Sequence, residues 1–328
     1  MPVDLTDENR MSGIQMREHF ALPVGDEKFK SFDAAFDGVP VSLQSAFRTF
    51  RHNLMGTVST VAMPFNFAFT SVQEKHFQRL HIARDLANLP LPGQPTTQDE
   101  DKERDRKALE EARAEMQAFV GSNEGSNVII RDVCSFLLHS LEHGFKDAAQ
   151  ELLHQGLVLL WSAFEVLLRD VFEAKLNDEP LQIKLLVDNP KTRKRFEAEK
   201  LPLETLLEHG FDLSARVGTV LVGQQNFNDF PSAKGIYSVL FPNDAALNDA
   251  LDQNELWKLY QRRHLIVHRR GAIDHAFLNA TGETHAIGSQ LNISPRQFDT
   301  AFKAVLAAGT ALASAVTASA AHQEPIPS

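Results

Sequence analysis

Apolar residues recur at intervals of three and four along most of the chain, which is the spacing of amphipathic helices. This pattern predicts helices over residues 41–61, 71–89, 96–120, 128–143, 147–176, 180–187, 203–222, 245–270 and 295–320. Met63 and Pro64 end the first of these helices, because a proline disfavours a helical residue before it. The sequence therefore predicts an all-α fold.

Segments rich in glycine, proline and polar residues interrupt the helical pattern. We interpret them as irregular structure or loops: residues 1–40, 90–95, 121–127, 223–242 and 271–294. We expect the chain to have three parts. They are a mostly helical N-terminal region, residues 1–145, a C-terminal helical bundle, residues 146–321, and a tail, residues 322–328.

The most apolar predicted helix, residues 147–176, has the pattern of a helix at the centre of a bundle. Its wide apolar stripe consists of Leu153, Leu157, Leu160, Phe164, Leu167, Leu168 and Val171. Glu165 lies at the rim of this stripe, where its carboxylate could reach a basic side chain on a neighbouring helix. The alternative is a rim carboxylate that is simply solvated.

The predicted helix 245–270 combines an apolar stripe with cationic and titratable side chains. The stripe consists of Leu256, Leu259, Tyr260, Ile266 and Val267. Arg263 falls in the middle of this stripe. Burying an unpaired guanidinium is expensive, so Arg263 predicts a carboxylate partner, a hydrated cleft or a second protein chain on this face. His264 and His268 lie one turn apart beside the stripe.

The residues that follow Arg263 carry a resemblance to a known family. They are His264, three apolar residues, His268, Arg269, Arg270, Gly271 and Asp274. This run resembles the Arg-x4-6-His motif of the HEPN superfamily, in particular its RiboL-PSP-HEPN branch. Arg262 also satisfies the looser spacing. The resemblance implies a helical bundle that dimerises and joins two motifs into a metal-independent endoribonuclease site. The family more often has asparagine at the position of His264.

Basic residues in an otherwise acidic chain are candidates for contacts to an RNA backbone. Beside Arg262, Arg269 and Arg270 in the motif, the strongest basic cluster consists of Lys191, Arg193, Lys194, Arg195 and Lys200. Phosphate contacts of this kind position a strand without reading its sequence. The alternative interpretation of the cluster is an ordinary solvated helix face.

Composition restricts the remaining possibilities. A formal net charge of −10 argues against nonspecific coating of nucleic acid, although a local basic site remains allowed. Cys134 is the only cysteine, which excludes an intrachain disulfide and makes a cysteine-ligated zinc site implausible. We find no P-loop or Rossmann motif and expect neither a metal nor a cofactor. Without a signal peptide or an expected membrane segment, we predict a cytoplasmic protein.

These features favour an endoribonuclease in which Arg263 and His268 are catalytic, assisted by His264 and Glu165. Five residues along a helix rotate a side chain by roughly 140°, so a two-chain site joins Arg263 and His268 more simply than one chain does. The expected partners are RNA, a second copy of the chain and an antitoxin or other partner protein, as for a toxin or antiphage effector.

Two other functions remain open. The first is a non-catalytic helical interaction or nucleotide-sensing module, because a fold can persist where activity is lost. The second is a metal-dependent hydrolase built on His264 and His268, whose spacing suits two ligands on one helix. The second lacks the glutamate of an HExxH motif between the two histidines.

Overall fold

The computed structural model describes residues 4–90, 96–196, 203–223, 227 and 229–321. The structure is 79% helical. Within the described residues, extended pairing is limited to an isolated bridge between Ala272 and Gln290. The predicted all-α fold is confirmed. The predicted tail, residues 322–328, and Lys200 of the basic cluster lie outside the described residues.

The helices among the described residues of the first part of the chain are α1 (Asp7–Met16), α2 (Lys30–Phe36), α3 (Val41–Val61), α4 (Met63–Ala87), α5 (Gln98–Gly121) and α6 (Asn123–Ser140). Of these, α4 and α6 begin earlier than the sequence pattern indicates. The prediction of irregular structure over residues 1–40 is therefore wrong where α1 and α2 lie. The loop predicted over residues 121–127 is also wrong, because the Ser122 hydroxyl accepts the Gly125 N–H and caps α6.

The second part begins with a long helix and continues with shorter ones. They are α7 (Lys146–Asp178), α8 (Ile183–Asp188), α9 (Arg193–Phe196), α10 (Leu203–Glu208), α11 (Val217–Val222), α12 (Phe230–Leu240), α13 (Ala245–Leu251), α14 (Asn254–Arg269), α15 (His275–Thr281) and α16 (Pro295–Ala321). The predicted helix 203–222 is thus two helices, and the predicted helix 245–270 is interrupted at Asp252 and Gln253. Within the predicted loop 223–242, α12 buries Phe230, Ile236 and Tyr237.

The chain forms two compact units that are discontinuous in sequence. Unit 1 comprises the chain up to Pro23, Val61–Leu152 and Ser294–Arg296. Unit 2 comprises Val24–Thr60, Leu153–Ile293 and the chain from Gln297. This partition differs from the division at residue 145, since 24–60 packs with the unit that holds most of α7 and all of α14. The functional division into residues 1–145 and 146–321 stays a prediction.

Unit 1 is built from α1, α4, α5 and α6. Its apolar core includes Ala68 and Val72 of α4 and Ile129, Val133 and Leu137 of α6. A polar contact fixes α1 to α6, because the buried Asn9 side chain donates at 2.8 Å to both the side-chain and main-chain oxygens of Asn127. Satisfied buried amides of this kind specify one packing arrangement.

Unit 2 is organised around α7, as its wide apolar stripe predicts. Leu157, Leu160, Trp161, Phe164 and Leu167 are all fully buried. Helix α7 packs against α14, the helix that carries Arg263 and His268. The Trp161 ring lies 5.2 Å from the Tyr260 ring of α14, and the Tyr237 hydroxyl of α12 donates to the Leu168 carbonyl. These contacts hold α12 and α14 against α7.

Helix α16 also belongs largely to unit 2 and is rich in small residues, mainly alanine. It packs closely on α3, because a Cβ placed at Gly309 would overlap the Phe50 ring. By length and composition alone, α16 is apolar enough to cross a membrane, and half of its most apolar window is buried inside the protein. Buried core helices pass the same test, so the expectation of no membrane segment stays a prediction.

Candidate active site

Helix α14 ends in a backbone arrangement that fixes the residues after its motif. Arg270 and Gly271 both adopt left-handed conformations, with φ values of 52° and 78°. Their N–H groups both donate to the Leu265 carbonyl, which satisfies the end of the helix. A Cβ at Gly271 would lie 3.5 Å from the His154 ring of α7. Gly271 therefore forms a glycine cap, and it brings the end of α14 against α7.

The apolar face of α14 is rotated by about one residue from the predicted stripe. Its buried residues are Leu256, Leu259, Arg262, Leu265 and Ile266. The prediction that Arg263 occupies the middle of the stripe is wrong, since Arg262 is 3% exposed and Arg263 lies half-buried at the edge. Val267, assigned to the stripe, is 47% exposed. Steps of three residues from Leu256 reach Leu259, Arg262 and Leu265, and all four of these residues are buried.

Arg262 has the carboxylate partners that burial of a guanidinium requires. Its Nη2 donates to Glu283 Oε1 at 2.6 Å, and Nη1 lies 4.0 Å from Glu255 Oε2. The other carboxylate oxygen of Glu283 lies 3.2 Å from Nε2 of His285. The guanidinium of Arg262 is directed into the protein, where it connects α14 to the segment after α15. We therefore leave Arg262 out of the candidate RNA surface.

Arg263 lies on the side of α14 that faces α7, near Glu165. Burial raises the pKa of the Glu165 carboxyl, and the positive charge of Arg263 opposes this rise. Burial also raises the pKa of Tyr260, Asp229 raises it further, and Arg263 again opposes. The structure thus brings Glu165 and Arg263 together, as the rim position of Glu165 suggested. Together they form a half-buried carboxylate and guanidinium beside an aromatic cluster.

His264 and His268 are exposed on the outer face of α14, and their ring centres are 4.5 Å apart. Partial burial lowers the pKa of His264, the nearby His268 and Arg263 lower it further, and Asp274 opposes them. The lowered pKa favours the neutral form of the His264 imidazole. A neutral imidazole donates one hydrogen bond and accepts another, as an asparagine amide can.

The remaining candidate RNA contacts are carried by two separate helix ends. Arg269 is 58% exposed in its side chain, with Nε 3.6 Å from Asp274, and Arg270 is exposed beside it. The basic cluster lies in and just before α9, which is anchored by Phe196 stacked on Phe172 of α7 at 6.3 Å. Lys191, Arg193 and Lys194 are exposed, and Arg195 is half-buried.

A further group of metal-ligating side chains lies in unit 1, and the sequence interpretation missed it. Ligand atoms of His139, Glu142 and His143 all lie within 4.8 Å of one another. Spacings of three and four on a helix would have signalled the group. All three side chains are exposed, so they could bind a divalent transition metal only as a surface site.

In unit 2, the candidate residues Arg263, His264 and His268 lie on α14, and Glu165 of α7 lies near Arg263. The HEPN resemblance rests on the α14 motif itself. No family model, curated protein or solved structure matches this chain.

Proposed function

We propose that this protein is a metal-independent endoribonuclease whose catalytic residues lie on α14. The observation that carries the proposal is the arrangement around Arg263. A half-buried guanidinium next to a carboxylate is followed, within five residues of one helix, by two exposed imidazoles 4.5 Å apart. Exposed Arg269 and Arg270 extend the positive charge beyond the histidines. This combination supplies proton transfer and phosphate binding from a single helix.

The proposed reaction needs no metal ion. The ribose 2′-oxygen attacks the adjacent phosphorus and loses its proton to a base, the bond from phosphorus to the 5′-oxygen breaks, and that oxygen receives a proton from an acid. The products are a 2′,3′-cyclic phosphate and a 5′-hydroxyl. His268 is the proposed proton-transfer group, and Arg263 stabilises charge on the phosphate. Glu165 orients the guanidinium of Arg263.

His264 has a supporting role in this proposal. Its lowered pKa favours the neutral imidazole, which can hydrogen-bond to RNA or to the neighbouring His268 without adding charge. The family that the motif resembles more often has asparagine at this position. A neutral polar group therefore suffices, and His264→Asn should retain activity.

A second copy of the chain completes the proposed site. Arg263 points towards α7, whereas His268 is on the exposed face. Val267, 47% exposed, lies between the two histidines and offers an apolar contact to another helix. In a symmetric pair, the arginine of one α14 and the histidine of the other can approach the same phosphate. Light scattering should give a dimer mass at micromolar concentration.

The proposal extends to the setting in which such an enzyme works. An active endoribonuclease in the cytoplasm damages the RNA of its own cell, which suits a toxin or antiphage effector. It therefore requires an antitoxin or other partner protein that holds it inactive. The exposed basic residues of α9 and of the end of α14 are the proposed contacts to the RNA backbone.

A non-catalytic helical interaction or nucleotide-sensing module is the second candidate function. It is favoured by the position of Arg263, whose Nε is buried and has no hydrogen-bond partner. A guanidinium held in this way against Glu165 can serve packing alone. Under this alternative, neither the wild-type protein nor any variant cleaves RNA.

Incubation of the purified protein with total RNA in EDTA tests the proposal. We expect cleavage by wild type and by His52→Ala, a control in which an exposed histidine of α3 is removed. We expect loss of cleavage in His268→Ala. Full activity of His268→Ala, or no cleavage by any protein, would overturn the proposal. Cleavage that EDTA abolishes and zinc restores would favour a metal site at His264 and His268.

A further inference from the structure

Unit 1 contains an apolar cavity that the proposed ribonuclease does not use. The cavity lies between α1, α4 and α6 and has a volume of about 420 Å³. Its apolar wall includes Leu22, Phe65, Phe69, Ile130, Val133 and Cys134. Small-molecule sites in proteins are clefts of roughly this size, apolar with a few polar groups that fix the orientation of the ligand. The cavity therefore has the dimensions of a ligand site.

Two arginines that line the mouth of this cavity differ in their pairing: Arg10 lies in α1, and Arg17 is the residue directly after α1. Arg10 is paired with Asp4 at 3.1 Å and with Asp7 at 3.4 Å. Arg17, two turns further along the same helix face, is exposed, and in the described part of the chain it makes no ion pair. A cation without a partner at the edge of an apolar cavity is suited to a ligand that is apolar at one end and anionic at the other.

Cys134 shows how near the charge of Arg17 lies to the inside of the cavity. The thiol is buried among the wall residues, and burial raises its pKa. The positive charge of Arg17 opposes this rise. The guanidinium is therefore close enough to act on a group in the cavity wall, and both residues line the cavity.

We propose that this cavity binds a medium-chain acyl carboxylate, with the hydrocarbon chain against the wall of α4 and α6 and the carboxylate on the Arg17 guanidinium. Burial of the chain provides affinity that grows with its length. The planar fork of arginine can donate two hydrogen bonds to one carboxylate, which fixes the direction of the ligand. The site is independent of α14 and of ribonuclease activity.

Two variants remove the proposed interactions separately. Gly13 lines the cavity between Arg10 and Arg17, and a Cβ placed there meets nothing within 4 Å. Gly13→Leu should therefore fold normally and occupy part of the cavity, since leucine favours the helix more than glycine does. Arg17→Gln removes the charge and leaves the cavity open. Arg113→Gln, at an exposed position of α5, is the matched control for charge removal.

Calorimetric titration with octanoate, decanoate and laurate, each below its micelle concentration, tests the proposal. We expect affinity to rise about fourfold per added methylene until the cavity is filled. Arg17→Gln should weaken decanoate binding about tenfold and leave decanol unchanged, because only the carboxylate uses the charge. Gly13→Leu should weaken both ligands, and Arg113→Gln should behave as wild type.

Cys134 provides a second readout at the site itself, since it is the only cysteine of the chain. Saturating decanoate should slow modification of Cys134 by a maleimide severalfold in wild type and have little effect in Gly13→Leu. Affinity that does not depend on chain length would overturn the proposal. Binding that is equal in wild type and Gly13→Leu, or an unchanged rate of Cys134 modification with ligand bound, would overturn it as well.

Discussion

Helices α5 and α14 are both rich in charged residues, but they hold their charges in different environments. On α5, Arg106 pairs with Glu103 and Glu110, and all three side chains are more than half exposed. On α14, the side chain of Arg262 is 4% exposed and pairs with Glu283, which is 14% exposed. Exposed pairs contribute little stability, whereas removing one partner of a buried pair leaves an uncompensated charge.

The titratable groups of α5 and those around α14 also differ in their environments. The charges of α5 are compensated along its own surface and by α4, where Arg84 pairs with Glu115 at 2.6 Å. On α5, a hydrogen bond from Arg106 lowers the pKa of Glu103, whereas around α14 burial shifts the pKa of Glu165 upward and that of His264 downward. Shifted pKa values mark environments in which a side chain is held in one protonation state. The position of a charge therefore points to function more directly than the number of charges on a helix does.

The largest expected difference between α14 and α5 is in the stability that is lost when an arginine is removed. Arg262→Ala leaves the Glu283 carboxylate buried without its partner and should lower the free energy of unfolding by about 3 kcal/mol or more. Arg106→Ala, the matched change on α5, should leave it almost unchanged, because both of its ion pairs are exposed. Urea denaturation followed by circular dichroism measures both. Equal losses in the two variants would contradict the difference between the helices.

Removal of Arg263 or His268 should lower the rate of RNA cleavage, whereas removal of a charge on α5 should not. Arg263→Ala and His268→Ala should each lower the cleavage rate in EDTA about a hundredfold or more, the usual scale for losing charge stabilisation or acid–base help. His264→Asn and Arg106→Ala should retain activity. Initial rates on a fluorescent RNA measure this. A His264→Asn variant as inactive as His268→Ala would instead indicate that His264 takes part in proton transfer or metal binding.

A mixture of two inactive variants tests whether the site is shared between chains. Arg263→Ala and His268→Ala chains, unfolded and refolded together, should regain part of the activity if each half-site uses the arginine of one chain with the histidine of the other. Arg263→Ala chains alone, unfolded and refolded in the same way, are the control. Failure to regain activity would count against the cross-chain pairing and leave the assignment of catalytic residues intact.

The smallest expected effects are on the pH dependence of stability. Because the pKa of Glu165 is raised in the folded state, its contribution to stability is lost as pH rises through the ordinary value near 4.5 and beyond. Because the pKa of His264 is lowered, stability falls as pH drops through 6.5. Glu165→Gln should remove the first dependence and His264→Asn the second. Melting temperatures at pH 4 to 8 check both slopes, and neither slope should change in Arg106→Ala.

The sequence predicted α3, α7 and the end of α14 well, because these helices have long apolar stripes or clear end signals. Val41–Val61 agrees with the prediction at both ends, and Gly271 takes the left-handed conformation expected of a glycine cap. Periodicity over twenty or more residues also averages out single exceptions. The central helix and the end of the candidate-site helix could therefore be predicted from the pattern alone.

The prediction failed where glycines serve packing rather than turns. The polar run at 121–127 suggests a loop, yet Gly125 lies in α6, where a Cβ would overlap the Phe119 carbonyl. The small residue permits the close approach of α5 and α6. The prediction of one helix over residues 245–270 failed as well. The apolar pattern continues on both sides of Asp252 and Gln253, yet the helix is interrupted at these two residues. Only tertiary packing distinguishes these cases.

Within the site, the sequence identified the motif residues but not which arginine is buried. Arg262 and Arg263 are adjacent, and an error of 100° in the direction of the helix face exchanges their roles. The Glu283 partner lies twenty-one residues further along the chain, where no spacing rule connects it to α14. Proximity of Glu165 to Arg263 could be anticipated from the rim position of Glu165 alone. The pKa shifts depend on burial, which only the folded arrangement determines.

Analysis of the RNA ends produced in EDTA tests the central claim most directly. A defined oligonucleotide is incubated with wild type, His268→Ala and His52→Ala, and the products are identified by mass spectrometry. We expect 2′,3′-cyclic phosphate and 5′-hydroxyl ends from wild type and His52→Ala, and intact RNA with His268→Ala. Products with 5′-phosphate ends, or the same cyclic products from His268→Ala at an undiminished rate, would contradict it.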